Sequence, residues 1–290
     1  MTSAIVDSLF QRLKVAMRTI VITADDFGFS PSVNEAVERG FRDGVLRSAS
    51  LMVGAPAAAD AIARARRLPG LRVGLHVTVV QGRALLPPSA IPHLVDSAGR
   101  FPDNLLAAAL RWFFHRATRR ELGQEIAAQF AAFRATGLPL DHVDVHNHMQ
   151  LHPSVLSEIL RNLPPGTAAV RLPREPWAVA GVPGLLLAPW IALMARRLRR
   201  AGLAHNDWLL GVRDSGRVDE ACLLRYLEQL PDGAVEIHLH PAVRRDAEVA
   251  AAMPGYFNEA ELAALLSPAV AARLLALRLE PGGFSDLPGA

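Results

Sequence analysis

The chain has 290 residues, of which 51% are hydrophobic, and a formal net charge of +3. This length and composition fit a globular protein with one large α/β domain or two small ones. Lys14 is the single lysine, which excludes chemistry that needs a Schiff-base, phosphate-loop or metal-bridging lysine. Because the charge is small and no basic patch alternates with aromatic residues, the sequence does not favour nucleic acid as a partner.

The amino terminus and the cysteine content bear on location. Residues 1–17 lack the long apolar run of a secretory signal, so we interpret them as an N-terminal arm. The one cysteine, Cys222, lies in an apolar helical pattern and has no partner for a disulfide within the chain. Both features are typical of a protein of the reducing cytoplasm.

The first strong signal is a buried strand that runs into two acids. Residues 19–23 are β-branched and apolar on both faces, which predicts a buried strand. Asp25 and Asp26 follow it, and helix-start chemistry begins at Ser30. In α/β folds this edge of the sheet binds ligands. The two acids are therefore either a functional pair, one a base and the other a cation ligand, or simple caps of the turn.

Strand-like runs alternate with helical patterns along residues 18–280. This alternation predicts a single α/β domain with parallel strands joined by helices. We count about seven strand–helix units and predict a TIM-barrel-like (β/α) barrel, with a doubly wound open sheet as the alternative. The several proline and glycine residues of the stretch 81–102 predict a long loop that could cover a site. Residues 281–290 predict a loose tail.

Polar side chains recur near the ends of the predicted strands. Two runs, residues 141–148 and 234–241, alternate polar and apolar residues with a period of two. Each run thus presents its polar side chains on one face of a strand, and the first and third strands add further candidates. The resulting set is Asp25, Asp26, His76, Asp144, His146, His148, Glu236, His238 and His240. His142 shares the polar face of the first run, but a lone histidine such as this one is more typical of a hydrogen-bonded structural residue.

These residue types suit metal-assisted hydrolysis. Two histidines, one carboxylate and water can hold a divalent cation with open positions. Such a cation polarises a carbonyl and lowers the pKa of a water molecule. A nearby aspartate can then accept a proton, and a histidine opposite can protonate the leaving group. The set matches hydrolysis of an amide or an ester.

Four motifs together resemble a known family. A-D-D-F-G, G-L-H, D-x-H-x-H and E-I-x-x-H-P occur in this order over residues 18–280. The chain resembles the YdjC-like carbohydrate deacetylases and is most similar to their hopanoid-associated branch. The resemblance implies a barrel-like fold and removal of acetyl from an N-acetylated glycan or glycolipid. For this branch it implies an N-acetylglucosaminyl hopanoid lipid as the substrate.

The resemblance also implies roles for residues. Asp26, His76 and His146 would hold one divalent metal. The resemblance favours magnesium over zinc, cobalt or manganese as that metal. Asp25 would be the base and His240 the general acid, although the residues alone leave open which of the two acids binds metal. The remaining positions would bind or orient substrate, or orient His240. They are Asp144, His148, Arg171, Arg174, Glu236 and His238.

Several alternatives remain open from the sequence. Residues 185–200 are apolar and then basic, which fits either peripheral contact with the inner membrane surface or a core helix whose arginines complement its dipole. A homodimer is also left open. Other functions that fit are a chitooligosaccharide deacetylase, a metal-dependent phosphoesterase or amidohydrolase, and a non-catalytic glycolipid-binding protein. A two-histidine iron oxygenase fits the ligand count, but the strand–helix alternation argues against it.

Overall fold

The chain folds into a curled parallel β-sheet with helices on its outer face. The computed structural model describes residues 18–167 and 169–287, and the predicted N-terminal arm lies outside them. Within these residues the strand order is β5-β4-β3-β2-β1-β7-β6, and β8 pairs with β1. The strands are β1 (Arg18–Phe27), β2 (Ser48–Leu51), β3 (Arg72–Val77), β4 (His142–Val145), β5 (Ala169–Val170), β6 (Trp208–Leu210), β7 (Val235–Leu239) and β8 (Leu279–Gly282).

Helices connect most of the strands, as the sequence predicts. Residues 185–200 are helical, and their helix begins earlier, at Trp177. No helix within the described residues has the length and apolarity needed to cross a bilayer. The helices are α1 (Pro31–Asp43), α2 (Ala58–Ala65), α3 (Leu105–Phe114), α4 (Arg116–Ala135), α5 (Pro153–Asn162), α6 (Trp177–Arg200), α7 (Glu220–Glu228), α8 (Ala247–Ala252), α9 (Asn258–Leu266) and α10 (Pro268–Ala276).

The two faces of the sheet differ in chemistry. On β1, Ile20 and Ile22 belong to the main hydrophobic core, whereas Thr23 and Asp25 are buried on the opposite face. The same alternation holds on β7, where Ile237 joins the core and its polar neighbours point the other way. One apolar face and one polar face fit a curled sheet, and they do not fit a doubly wound sheet covered by helices on both sides.

The curled sheet approaches closure between β5 and β6. Val170 N donates to Ala204 O at 3.1 Å, and Leu209 N donates to Arg174 O at 2.7 Å. β5 itself has two residues, because Pro173 follows closely and cannot continue a ladder of hydrogen bonds. The described residues therefore form a half-barrel with a bridged gap, and a complete TIM barrel is not confirmed.

The fourth strand is shorter than its alternating pattern predicts. β4 ends at Val145, and a 3-10 helix, His146–Leu151, follows. Asn147 and His148 both have left-handed backbone angles, with φ of 55° and 53°. The predicted common face therefore holds only for His142 and Asp144. The chain has to turn here toward α5, and asparagine is among the residues that tolerate this conformation.

The carboxyl-terminal segment is packed, which corrects the predicted loose tail. β8 pairs with the first half of β1. After it, Phe284 is fully buried among Val21, Ala169 and Leu287. The prediction was therefore wrong for residues 281–287, because a strand pairing between distant parts of the chain is not visible in local composition. This segment fills the amino-terminal end of the half-barrel, opposite the predicted site.

The loop of residues 81–102 is fastened to α4. Buried Glu125 accepts hydrogen bonds from Leu85 N at 2.9 Å and Leu86 N at 3.0 Å. Glu121 accepts one from His93 N at 2.7 Å. Since buried carboxylates bond directly to its backbone, this loop is a fixed wall in the structure.

Candidate metal and catalytic site

The two acids near the end of β1 both point into the site because the strand is irregular at that position. The register with β2 shifts between Ala24 and Phe27, and Asp26 has a left-handed φ of 61°. On a regular strand, adjacent side chains would face opposite sides. The shift acts like a β-bulge, so both carboxylates are buried on the concave side.

Arg171, just after β5, joins three carboxylates. Its Nη1 and Nη2 donate to the two oxygens of Asp25 at 2.7 and 2.8 Å. Its Nε and Nη2 also donate to Glu236, the shortest contact being 2.6 Å. The third partner is Asp144, 2.5 Å from Nη1. Arg171 is fully buried, so Arg171 and Glu236 position Asp25 rather than a substrate or His240.

This arrangement fixes the charge of Asp25. Burial alone would raise the pKa of its carboxyl, but the guanidinium of Arg171 holds that pKa well below its usual range. Asp25 is therefore ionised at any pH near neutrality. Because both of its oxygens are bonded to Arg171, it is also a weaker candidate for a cation ligand than Asp26.

Asp26, His76 and His146 converge on one point. His146 Nδ1 lies 3.0 Å from Asp26 Oδ1, and His76 Nε2 lies 3.3 Å from the same oxygen. The two ring nitrogens are 3.3 Å apart. Two imidazoles and one carboxylate, drawn from β1, β3 and the turn after β4, form a donor set for a divalent cation.

Asp144 orients His76 for this task. Nδ1 of His76 donates to Asp144 Oδ2 at 2.9 Å, so Nε2 is the nitrogen that faces Asp26 and would bind a cation there. A carboxylate behind a metal-binding histidine is the usual supporting arrangement. The side chain of His146 keeps 18% of its surface exposed, so the group has an open side. The residues fit a divalent metal, and Asp144 acts here through His76 rather than on a substrate.

A second group of histidines faces Asp25. His238 Nδ1 donates to Leu210 O at 3.1 Å, which directs its other nitrogen into the site. Burial, aided by Arg171, lowers the pKa of His238 to about 3, so this ring is neutral. The ring of His148 packs edge-on against His238, with centroids 5.1 Å apart. Asp25, His238 and His240 also place one donor atom each within 4.8 Å of the others.

His240 is held by residues that the motifs did not indicate. Its backbone N donates to Glu261 Oε2 at 2.6 Å, and Asn258 Nδ2 donates to its carbonyl at 2.7 Å. The ring of Tyr256 lies 5.2 Å from its ring. Glu261 and Asn258 lie on α9, where the sequence shows an ordinary helix without a local signal for this role. The buried Nδ1 of His240 has no hydrogen-bond partner in the described residues.

Arg174 is the predicted site residue that the structure does not bring to this group. It is exposed, and its guanidinium lies 4.2 Å from the centroid of the Trp208 ring. Trp208 pairs with Val235 at the opposite, amino-terminal end of β7. Glu236 lies near the beginning of β7 and contacts the site through Arg171. The other predicted positions lie toward the carboxyl ends of the strands, around the two groups that contain Asp25 and Asp26.

The fold and this cluster together define an α/β protein with a buried two-histidine, one-carboxylate site beside an arginine-bound aspartate. A family model for YdjC-like proteins matches residues 19–276. The chain therefore belongs to the YdjC-like family.

Similar proteins carry the description carbohydrate deacetylase. One from Brevibacillus brevis is 34% identical over 157 residues, which are 53% of this chain and 59% of that protein. One from Thermoanaerobacter pseudethanolicus is 29% identical over 234 residues, or 78% of this chain and 82% of that protein. The match thus spans about three fifths of the Brevibacillus protein's length.

A solved structure has the same fold. It is a putative cellobiose-phosphate cleavage protein from Enterococcus faecalis, with a TM-score of 0.73 and 23% sequence identity. The superposition covers 93% of this chain and 98% of the other. At this identity the likeness concerns the fold alone.

Proposed function

We propose that this protein is a metal-dependent carbohydrate N-deacetylase, which hydrolyses the acetamide of an N-acetylated sugar to acetate and a free amine. The observation that carries the proposal is the position of Asp26, His76 and His146 beside the Asp25–Arg171 pair. The carbohydrate deacetylases among the similar proteins support the substrate class.

Asp26, His76 and His146 would hold the cation. When bound there, it supplies Lewis acidity to the amide carbonyl and lowers the pKa of a water molecule. The resemblance to the family implies magnesium, whereas two imidazoles among three donors are typical of zinc or cobalt. The candidate cations are therefore magnesium, zinc, cobalt and manganese.

Asp25 would take the proton of the attacking water. Its two oxygens are oriented by Arg171, and the resulting low pKa keeps the carboxylate ionised and ready to accept. A strongly lowered pKa also makes it a weak base, so orientation and proximity have to supply much of its effect.

His240, in its protonated form, would give a proton to the departing amine. A donor atom of His240 and an oxygen of Asp25 lie within 4.8 Å of each other, so an amide placed between them meets a proton acceptor and a proton donor. Glu261 and Asn258 hold the backbone of His240 in position. His238, which is neutral, would contribute a hydrogen-bond acceptor on the same side.

Acetate release from N-acetylglucosamine oligomers tests this proposal. The protein is stripped with chelator and reloaded with each of the four metals. We expect metal-dependent release that falls by at least about 100-fold in Asp25→Asn and in His240→Ala, while Arg174→Ala retains it. Release without metal, or release by either site variant at the wild-type rate, would refute the mechanism.

Within this class, we propose an N-acetylglucosaminyl hopanoid lipid as the substrate. The motif resemblance to the hopanoid-associated branch supports it. Offered at equal concentration, the glycolipid should be deacetylated faster than short chitooligosaccharides. Faster turnover of the oligosaccharides would favour the alternative, a chitooligosaccharide deacetylase. Metal-bound, folded protein that releases acetate from neither would turn attention to phosphoester hydrolysis or to glycolipid binding without turnover.

A further inference from the structure

Two helices turn large apolar side chains toward solvent. On α3, Leu106 and Phe114 each keep 71% of their surface exposed, and Leu110 and Phe113 are also exposed. These four positions follow a helical spacing of four, three and one residues, so they form one stripe. The opposite face of α3 buries Ala108 and Trp112. A helix that is apolar on both faces usually has a partner on each.

The second helix adds to the same surface. On α6, three consecutive leucines, residues 185–187, are exposed, with Leu186 at 78%. Each of the two helices contacts the corner formed by Leu151 and His152. Trp190 of α6 donates its indole N–H to Leu151 O at 2.8 Å, and the ring of His152 packs against Phe113 with centroids 6.3 Å apart. We call the exposed face of α3 together with residues 185–187 the apolar surface.

The two helical stretches that carry and follow the apolar side chains are basic. Residues 105–120 and 184–200 carry eight arginines, four in each stretch, and no aspartate or glutamate. A complementary partner is therefore anionic and apolar at once. A second copy of the chain does not meet this requirement, because pairing the surface with itself would place arginine against arginine. The surface of an anionic bilayer does meet it.

The apolar surface adjoins the candidate site. The 3-10 helix His146–Leu151 carries two site histidines at its beginning and ends at the Leu151–His152 corner. Contact at this corner would thus bring the open side of the site next to a bilayer. We propose that α3 and α6 dock the protein on anionic phospholipid membranes, with the apolar side chains inserted at the interface and the arginines on headgroup phosphates.

Co-sedimentation with vesicles tests the docking proposal independently of the deacetylase activity. The probes are phosphatidylglycerol and phosphatidylcholine vesicles, at low and high salt. We expect wild-type protein to sediment with phosphatidylglycerol vesicles, and less so with phosphatidylcholine or at high salt. The double variant Leu106→Ser, Phe114→Ser should bind at least about tenfold more weakly.

Leu275 on α10 provides a matched control, since it is also 71% exposed but lies outside the apolar surface. Leu275→Ser should bind like wild type, and circular dichroism checks that both variants are folded. Wild-type protein that stays in the supernatant would overturn the proposal, as would equal losses in the two variants. A wild-type dimer that becomes a monomer in the double variant would also overturn it and assign the surface to a second copy.

Discussion

Arg171 is the side chain on which the buried charges of the site depend. It is fully buried, and it is the shared partner of Asp25, Asp144 and Glu236. Burying carboxylates is costly unless an opposite charge and hydrogen bonds accompany them. The position of Asp25, and with it the proposed proton transfer, therefore depends on a residue that does not face the substrate.

Replacing Arg171 should destabilise the fold strongly. In Arg171→Met, three carboxylates lose their buried cation, and we expect the free energy of unfolding to fall by about 3–5 kcal/mol. Urea denaturation of the metal-free protein measures this change. Arg174→Met is the matched control, because Arg174 is exposed, and its effect should stay within about 0.5 kcal/mol. A similar small loss in both variants would mean that Arg171 is not needed to hold these charges.

His238 should make stability depend on pH. Its pKa is about 3 in the folded protein and about 6.5 in an unfolded chain. Between these values the unfolded state binds one more proton, so acidification below pH 6.5 destabilises the fold by up to about 1.4 kcal/mol per pH unit from this residue. His238→Gln removes this contribution.

Urea denaturation between pH 5 and pH 7, about the unfolded pKa, compares the two proteins. Wild type should lose stability on acidification more steeply than His238→Gln. Equal slopes would show that His238 is not held neutral by burial.

At the level of elements, the alternation of polar and apolar residues along the strands predicts where the site lies. It does not predict the direction of every side chain in it. The period of two on β7 correctly predicts that Glu236, His238 and His240 share a face, because that strand is regular. The same argument fails at Asp26 and His148, where left-handed residues redirect the side chains. Such turns depend on the packing around them, which a local pattern does not contain.

The carboxyl-terminal segment shows a related limit of sequence reasoning. Asp141 accepts hydrogen bonds from the backbone N of Phe284 at 2.9 Å and of Ser285 at 3.1 Å. The neighbouring His142 ring stacks on Phe284, with centroids 4.6 Å apart, and bonds Ser50 Oγ at 3.0 Å. Ser50, His142 and Asp141 are hydrogen-bonded in a row, as the residues of a Ser-His-Asp catalytic triad are. Because the carboxyl-terminal segment buries them, they form a structural network.

Phe284→Ala should therefore reduce stability without impairing the chemistry. Loss of a fully buried phenylalanine is expected to cost about 3–5 kcal/mol, measured by urea denaturation. Leu275→Ala, at an exposed position of α10, should change stability little. The proposed deacetylase activity per folded molecule should be unchanged in both, because Phe284 lies at the end of the half-barrel away from the site. Loss of activity in folded Phe284→Ala protein would contradict this separation.

For the molecule as a whole, the curled sheet is what assembles the site. Side chains from β1, β3, β7 and the turns after β4 and β5 come together at the carboxyl ends of the strands. The alternation of strands and helices was sufficient to predict this edge. It was not sufficient to predict the bridged gap between β5 and β6, or that α3 joins α6 in the apolar surface, since both depend on contacts between distant segments.

Calorimetric titration of the metal-free protein with zinc and with magnesium tests the central claim most directly, because the histidine groups around Asp26 and Asp25 make opposite predictions. If Asp26, His76 and His146 hold the cation, wild type and His240→Ala should each bind one per chain, and His146→Ala should lose binding. Binding that persists in His146→Ala but disappears in His240→Ala would contradict the account, because it would place the cation with Asp25, His238 and His240.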